Sequence, residues 1–295
     1  MKKILSVCLL LVSSLLVNAE VTKKYARDNI HFLIVVPTYH NQRYCIKNIE
    51  KIASQTYTNW TMCVIVDGEI AQDDGTGDLI EEYVATHNLH NKIIVKRNDA
   101  RFLALKNIYD AIHTYADDRS VVVLVDGDDW LYDNHVLEKL NAIYSRYNVF
   151  LTYGQFQEYP SGNRGFCTPF PQKFVKSNMF RRYVHLPSHL RTFYAWLFKK
   201  IDRKDLLFNG NFFEMTWDQA IMYPMIEMAG ERHAFIDDIL YVYNCENEIN
   251  DFKVNAPLQS YLAGIIRAKS RYQRLDNEVT QQFAKRPLFK QISKK

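Results

Sequence analysis

What most limits how this chain can fold is a set of four short apolar runs spaced through its first half: FLIVV (32–36), TMCVIV (61–66), KIIV (92–95) and SVVVLV (120–125). Strands that are apolar and β-branched at consecutive positions are covered on both faces, the situation of a parallel sheet wrapped by helices. The intervening segments carry helical patterning. Ile46, Ile49, Ile52 and Ala53 share one face, as do Leu105, Ile108, Ile112 and Tyr115, and residues 78–88 read as a shorter helix with Asp78 as a cap. Three strand–helix–strand units in succession predict an α/β protein with a doubly wound, mostly parallel sheet. The stretch from Tyr153 to Pro187, rich in Gly and Pro, is expected to be loop. Helical patterning resumes at 217–228, a strand follows at 239–243, and a final helix is expected from Leu258 to about Arg274.

Hydrophobic residues make up 47% of the 295 residues and charged residues 24%, which excludes a disordered or low-complexity chain. The net charge of +4 is too near neutral to indicate a nucleic-acid partner. Lys2 and Lys3 precede an uncharged stretch from Ile4 to Val17 that ends in Val17-Asn18-Ala19, the pattern of a cleavable export signal over residues 1–19. Its apolar part is shorter than the roughly 20 residues a membrane-spanning helix needs. The alternative is a short retained anchor with a cytosolic domain, favoured by Lys23, Lys24 and Arg27 just beyond the run. Cys45, Cys63, Cys167 and Cys245 lie far apart in no metal-finger spacing, so no structural zinc site is expected.

In a doubly wound sheet the ligand lies beyond the carboxyl ends of the strands. Here those ends read Pro37-Thr38-Tyr39, Asp67-Gly68, Lys96-Arg97-Asn98-Asp99 and Asp126-Gly127-Asp128-Asp129. Neither GxGxxG nor GxxxxGK[ST] occurs, so the usual phosphate cradles are absent and a bound phosphate would need a metal. Carboxylates on the Asp126–Asp129 turn suit Mg²⁺ or Mn²⁺, although an Asp-rich turn after a buried strand is by itself more often a polar turn. An EF-hand is excluded, because its sixth and twelfth positions would be Leu131 and Leu137.

Taken in order, IVVPTYHN (34–41), SQTYTNW (54–60), VIVDG (64–68), RFLALKNIYDAI (101–112) and VLVDGDDWL (123–131) resemble the motifs of family-2 glycosyltransferases of the GT-A fold. PSHLRTF (187–193), WDQAIMYPMIEMAGERH (217–233) and ILYVYN (239–244) resemble the acceptor half of the same family. The resemblance implies a nucleotide-sugar-binding half at 30–133, an acceptor-binding half at 134–250 and a basic helical tail at 251–295. It places Pro37, Thr38, Tyr39 and Asp67 at the nucleotide base and ribose, and Lys106 with Asn107 where the family has an Arg-Asn pair. Asp126 and Asp128 fall on the DxD motif, the first near the ribose and the second on a Mn²⁺ or Mg²⁺ ion that bridges the diphosphate. Asp218 falls on the catalytic base, with Glu214 as the competing acid. Arg191 is expected to contact the diphosphate and Trp217 to stack on the acceptor sugar. After YVYN the family often carries a metal-ligating His; here Phe252 stands in its place, and Asp251, a water or His189 are the candidate substitutes.

The expectation is an inverting, metal-dependent transferase that uses a nucleoside diphosphate sugar, a UDP-sugar, and a hydroxyl acceptor on a glycan, lipid or protein. Two alternatives stay open: a noncatalytic nucleotide-sugar or glycan-binding protein, and a metal phosphohydrolase. From Pro257 onward nine Lys or Arg meet two acids. The tail therefore either touches an anionic membrane surface or presents a solvated helix face.

Overall fold

Each apolar run becomes a strand, and the strands assemble one eight-stranded sheet. In chain order the strands are β1 (Phe32–Thr38), β2 (Trp60–Val66), β3 (Ile93–Arg97), β4 (Val121–Leu124), β5 (Trp130–Leu131), β6 (Leu151–Tyr159), β7 (Arg191–Tyr194), β8 (Leu207–Phe208), β9 (Asn211–Phe212) and β10 (His233–Asn244). The sheet order is β3-β2-β1-β4-β7-β6-β10-β5, with β8 and β9 forming a separate hairpin. The computed structural model describes residues 29–248, 251–275 and 286–290. The expected export signal at 1–19, the tail residues 276–285 and 291–295, and the Phe252 side chain lie outside the described residues.

Strands β1 to β4 are mutually parallel, which puts all four carboxyl ends on one edge. The helices α1 (Cys45–Ala53), α2 (Thr76–Thr86) and α3 (Leu103–Tyr115) cross between them, each burying one stripe. In α3 that stripe is Leu105, Ile108, Ala111 and Ile112, spaced at three and four residues as an amphipathic helix requires, while Tyr115 at its end is exposed. Beyond β4 the direction changes: β7 runs antiparallel to both β4 and β6, and β10 pairs parallel to β6 and antiparallel to β5. The sheet is thus parallel where the nucleotide is expected and mixed beyond it. Helix α4 (Val136–Arg146) packs Val136, Leu137, Leu140 and Tyr144 into the core.

Two expectations need correction. The stretch from Tyr153 is not loop at its start, because β6 runs through Tyr159 and its first six residues are buried between β7 and β10. Gly154 sits in that strand without strain, since a Cβ there would meet only ordinary contacts at 3.5 Å and beyond. The final helix, α6 (Ala256–Ala268), stops short of Arg274. Tertiary bonds pull the following segment off the helical path: the Tyr272 N–H donates to Glu227 at 3.0 Å, the Tyr272 hydroxyl donates to Asp205 at 2.7 Å, and the Leu275 N–H donates to the Met228 carbonyl at 3.0 Å. Among the described residues no helix is long and apolar enough to cross a membrane, and the four cysteines from Cys45 to Cys245 are free thiols.

Helix α5 (Trp217–Ala229) is buried almost all round, and 11 of its 13 residues are inaccessible, so its position is fixed by the core on every side. Glu227, fully buried, accepts two bonds from Arg181 at 2.7 and 2.9 Å; a third Arg181 nitrogen donates to the Ile266 carbonyl at 2.7 Å. This clamp ties α5 to α6 and to the segment before β7.

Candidate active site

A cleft of about 540 Å³ opens beyond the carboxyl ends of β1, β2 and β4 and is bounded on its other side by the segments leading into β7 and α5. Pro37, Thr38, Tyr39, Asp67, Asn107, Asp126, Asp128, Arg191, Trp217 and Asp218 all line it. These residues come from six separate stretches of chain, and the fold brings them together. Lys106 is the exception: its ammonium pairs with Asp110 one turn further along α3, and it is not part of the lining.

On the β2 side, Asp67 is buried and its acceptor positions are engaged within the protein. Asn98 donates to it at 2.8 Å, and the N–H groups of Phe102 and Leu103 at 2.9 and 2.8 Å. Those bonds hold the first turn of α3, where Leu103 takes the left-handed conformation (φ 67°) that a branched side chain avoids. Asn107 accepts from Asn98 at 2.8 Å, and its buried amide nitrogen has no hydrogen-bond partner among the described residues. Tyr39 stacks on His40 at 3.9 Å between centroids, with the Arg101 guanidinium 3.9 Å from its ring. Arg101, a cleft residue that the sequence motifs did not single out, is thus the cation beside Tyr39.

The Asp126-Gly127-Asp128-Asp129 turn is held from far away in sequence. A Cβ on Gly127 would lie 2.4 Å from Thr38 Oγ1 and 2.9 Å from its Cα, so only glycine fits between the two aspartates. Asn48 donates to the carbonyls of Asp126 and Asp129 at 3.0 and 2.7 Å. Asp129 is fully buried and accepts from the Tyr241 hydroxyl and the Asn244 N–H, both at 2.7 Å. Asp128 accepts from Asn247 at 2.7 Å, and Asn247 also donates to Asn41 at 3.2 Å, linking the turn back to the end of β1. Burial, and then the nearby charges of Asp128 and Asp126, push the Asp129 carboxyl well above the usual range. Burial also raises Asp128, against the Asn247 bond.

His189 reaches the same turn from the segment before β7. Its ring lies flat against Tyr241 (4.5 Å between centroids, 8° between planes) and near Tyr243 (5.1 Å, 22°), with Nδ1 3.8 Å from an Asp126 oxygen. Burial, and then the positive charge of Arg191, hold its pKa well below the ordinary value, so the ring is neutral near pH 7. Asp126, Asp129 and His189 each bring one donor atom within 4.8 Å of the others. Two carboxylates and an imidazole are a donor set that fits a divalent cation.

At the other side of the cleft, Asp218 occupies the first turn of α5, where the helix dipole favours a negative charge. His185 Nε2 donates to its Oδ2 at 3.0 Å, and the Arg191 guanidinium lies 3.6 Å from the same oxygen and 5.1 Å from the Trp217 ring. Burial opposes ionisation of Asp218, but His185 and Arg191 outweigh it and hold the carboxyl far below the usual range. Its side chain keeps 24% exposure, so an acceptor in the cleft can reach it. Glu214 lines the cleft too, without such partners among the described residues. Sequence reasoning missed His185, Arg101, Asn41 and Asn247. Each acts through a contact across many residues; Asn41 and Arg101 stood at the ends of the motifs at 34–41 and 101–112, and PSHLRTF begins two residues past His185, but nothing local marked Asn247.

A curled, mostly parallel sheet with acidic residues at its strand ends is the GT-A arrangement, and the similarities to known proteins agree. Residues 33–205 match the sequence profile of glycosyl transferase family 2, and the chain belongs to that family. It is similar to the glycosyltransferase GlyG of Streptococcus pneumoniae serotype 4, with 24% identity over 224 residues that cover 71% of this chain and 69% of that one. In fold it is similar to S. aureus TarS in complex with UDP-GlcNAc (TM-score 0.54, 15% identity, 77% of this chain and 61% of that one). It is similar also to the mannosyltransferase PcManGT of Pyrobaculum calidifontis in complex with GDP-Man and Mn²⁺ (TM-score 0.54, 17% identity, 82% and 66%). The chain thus spans about three fifths of the length of that TarS structure.

Proposed function

We propose that this protein transfers a glycosyl unit from a nucleoside diphosphate sugar, a UDP-sugar, to an acceptor hydroxyl, with inversion at the anomeric carbon. The observation that carries the reading is one cleft that gathers the Asp126–Asp129 turn, Arg191 and an ionised Asp218 around a common space. Pro37, Thr38 and Tyr39, with Arg101 on the Tyr39 ring, form a wall for the base and ribose. A Mn²⁺ or Mg²⁺ ion held at the Asp126–Asp129 turn would supply charge neutralisation for the departing diphosphate. Arg191 offers a guanidinium to the same phosphates. Asp218 Oδ1 takes the proton of the acceptor hydroxyl while that oxygen attacks the anomeric carbon from the face opposite the leaving nucleotide. Trp217, beside Asp218, packs against the acceptor. That TarS and PcManGT were solved with UDP-GlcNAc and GDP-Man supports a nucleotide-sugar donor.

The test is nucleotide release from a panel of UDP-sugars with Mn²⁺, with and without EDTA. Release that depends on the cation and is lost in Asp218→Asn is the expected result. Binding of a UDP-sugar without turnover would favour a noncatalytic binding protein, and hydrolysis of simple phosphate esters a phosphohydrolase. Export through residues 1–19 and lipid contact by the basic tail belong to the same proposal. N-terminal sequencing of the protein from its native cell is expected to find the chain starting at Glu20, and a chain starting at Met1 in the membrane fraction would refute export.

A further inference from the structure

His189 raises a question that its packing does not answer. Its ring stacks with Tyr241 and Tyr243 and meets Phe156 at a right angle (5.7 Å, 89°), and these three aromatic contacts fix its orientation. The residue is only 7% exposed, yet Nδ1 makes no hydrogen bond among the described residues. A buried polar nitrogen without a partner destabilises a fold and is rare without a reason. Nδ1 points into the space shared with the carboxylates of Asp126 and Asp129.

The 3.8 Å between Nδ1 and the Asp126 oxygen is too long for a hydrogen bond and falls between the two ligand spacings of an octahedral ion. Around an octahedral ion with bonds of ~2.1 Å, neighbouring ligand atoms lie ~3.0 Å apart and opposite ones ~4.2 Å apart. The supporting contacts are also in place. Tyr241 forms the surface on which His189 lies and donates its hydroxyl to Asp129, so one side chain orients two of the three donors. Asn244 fixes the other Asp129 oxygen through its N–H, leaving each carboxylate oxygen a second lone pair. Asp128, by contrast, is turned toward Asn247 and stands outside the cluster.

We propose that His189 is itself a ligand of the divalent cation, completing with Asp126 and Asp129 a site of two carboxylates and one imidazole, and that its nitrogen makes the site prefer Mn²⁺ to Mg²⁺. The inference rests on the metal dependence proposed above. Mg²⁺ favours all-oxygen surroundings, whereas imidazole binds more strongly to the later ions of the divalent series.

The experiment is electron spin echo spectroscopy of Mn²⁺ added to the full chain, with and without UDP, paired with titrations of Mn²⁺ and Mg²⁺. Wild-type protein is expected to show a nitrogen coupling to bound Mn²⁺ that changes from the ¹⁴N to the ¹⁵N pattern when the protein is labelled with [¹⁵N]histidine. In His189→Gln the coupling disappears, Mn²⁺ affinity falls by roughly 10- to 100-fold, and the gap between Mn²⁺ and Mg²⁺ narrows. Should that variant fail to fold, the isotope change in wild-type protein decides alone. Bound Mn²⁺ without nitrogen coupling, or coupling that persists in His189→Gln, overturns the assignment of His189 and leaves the metal reading standing. Absence of bound Mn²⁺ under either condition overturns both.

Discussion

Two acidic groups line the same cleft with opposite electrostatics. At the Asp126–Asp129 turn, burial pushes the Asp128 and Asp129 carboxyls upward, and for Asp129 the nearby charges of Asp128 and Asp126 add to it. At the start of α5, His185 and Arg191 hold Asp218 far below the usual range in spite of burial. Asp218 carries its counter-charge within the chain. Asp128 and Asp129 accept their bonds from amide and hydroxyl groups, and the His189 ring beside the turn is neutral, so an external cation is what would balance these two carboxyls. A carboxylate balanced from within is set up to stay ionised, and one balanced from outside is set up to bind.

Four measurements probe this contrast. The largest effect is expected from Glu227→Ala, which removes the carboxylate most completely balanced from within. It strands the buried Arg181 guanidinium and is expected to cost ~3–5 kcal/mol of stability by denaturant unfolding. A cost near zero would mean that internal pairing at α5 matters little. Next, Asp218→Asn is expected to slow transfer by ~100-fold or more with nucleotide affinity unchanged, read by steady-state kinetics and calorimetry. If Glu214→Gln produces that loss instead, the base has been misassigned.

A smaller effect is expected from Gly127→Ala, whose methyl group would push the turn off Thr38. It is expected to lower stability by ~1–3 kcal/mol and to weaken cation-dependent nucleotide binding, leaving Asp218 in place; thermal melts with and without Mn²⁺ check both. The smallest effect is in pH. Because the Asp218 pKa is depressed on folding, its stabilising contribution is complete above the unfolded carboxyl value near ~4 and is lost as pH falls below it. The stability difference between wild type and Asp218→Asn should therefore shrink between about pH 4 and pH 3. A difference that grows with acid would contradict the depressed value.

The parallel half of the sheet was legible because its signals are local. FLIVV and SVVVLV need no partner to be identified as doubly covered strands, and the residues that follow them fall on one edge by topology alone. Strand β6 was not legible, because Gly154 and Pro160 read as loop while its burial comes from β7 and β10, whose pairing with it no local pattern reveals. The same holds within the cleft. Asp126 and Asp218 could be picked out from motifs, but His185 meets Asp218 across 33 residues and Asn247 meets Asp128 across 119. Lys106 sat in the expected motif position, yet an acid one turn away captured its side chain.

The two bonds from Tyr241 and Asn244 to Asp129 span 112 and 115 residues, and they bear on how such a protein can be recombined. A chimera that takes residues 30–133 from one relative and the remainder from another would join a turn to a strand that did not evolve to hold it. Crossover points for exchanging donor preference should therefore keep β10 with the turn, as one inherited unit. Variation in the segment between Tyr159 and Pro187 can then be exchanged without disturbing that pairing.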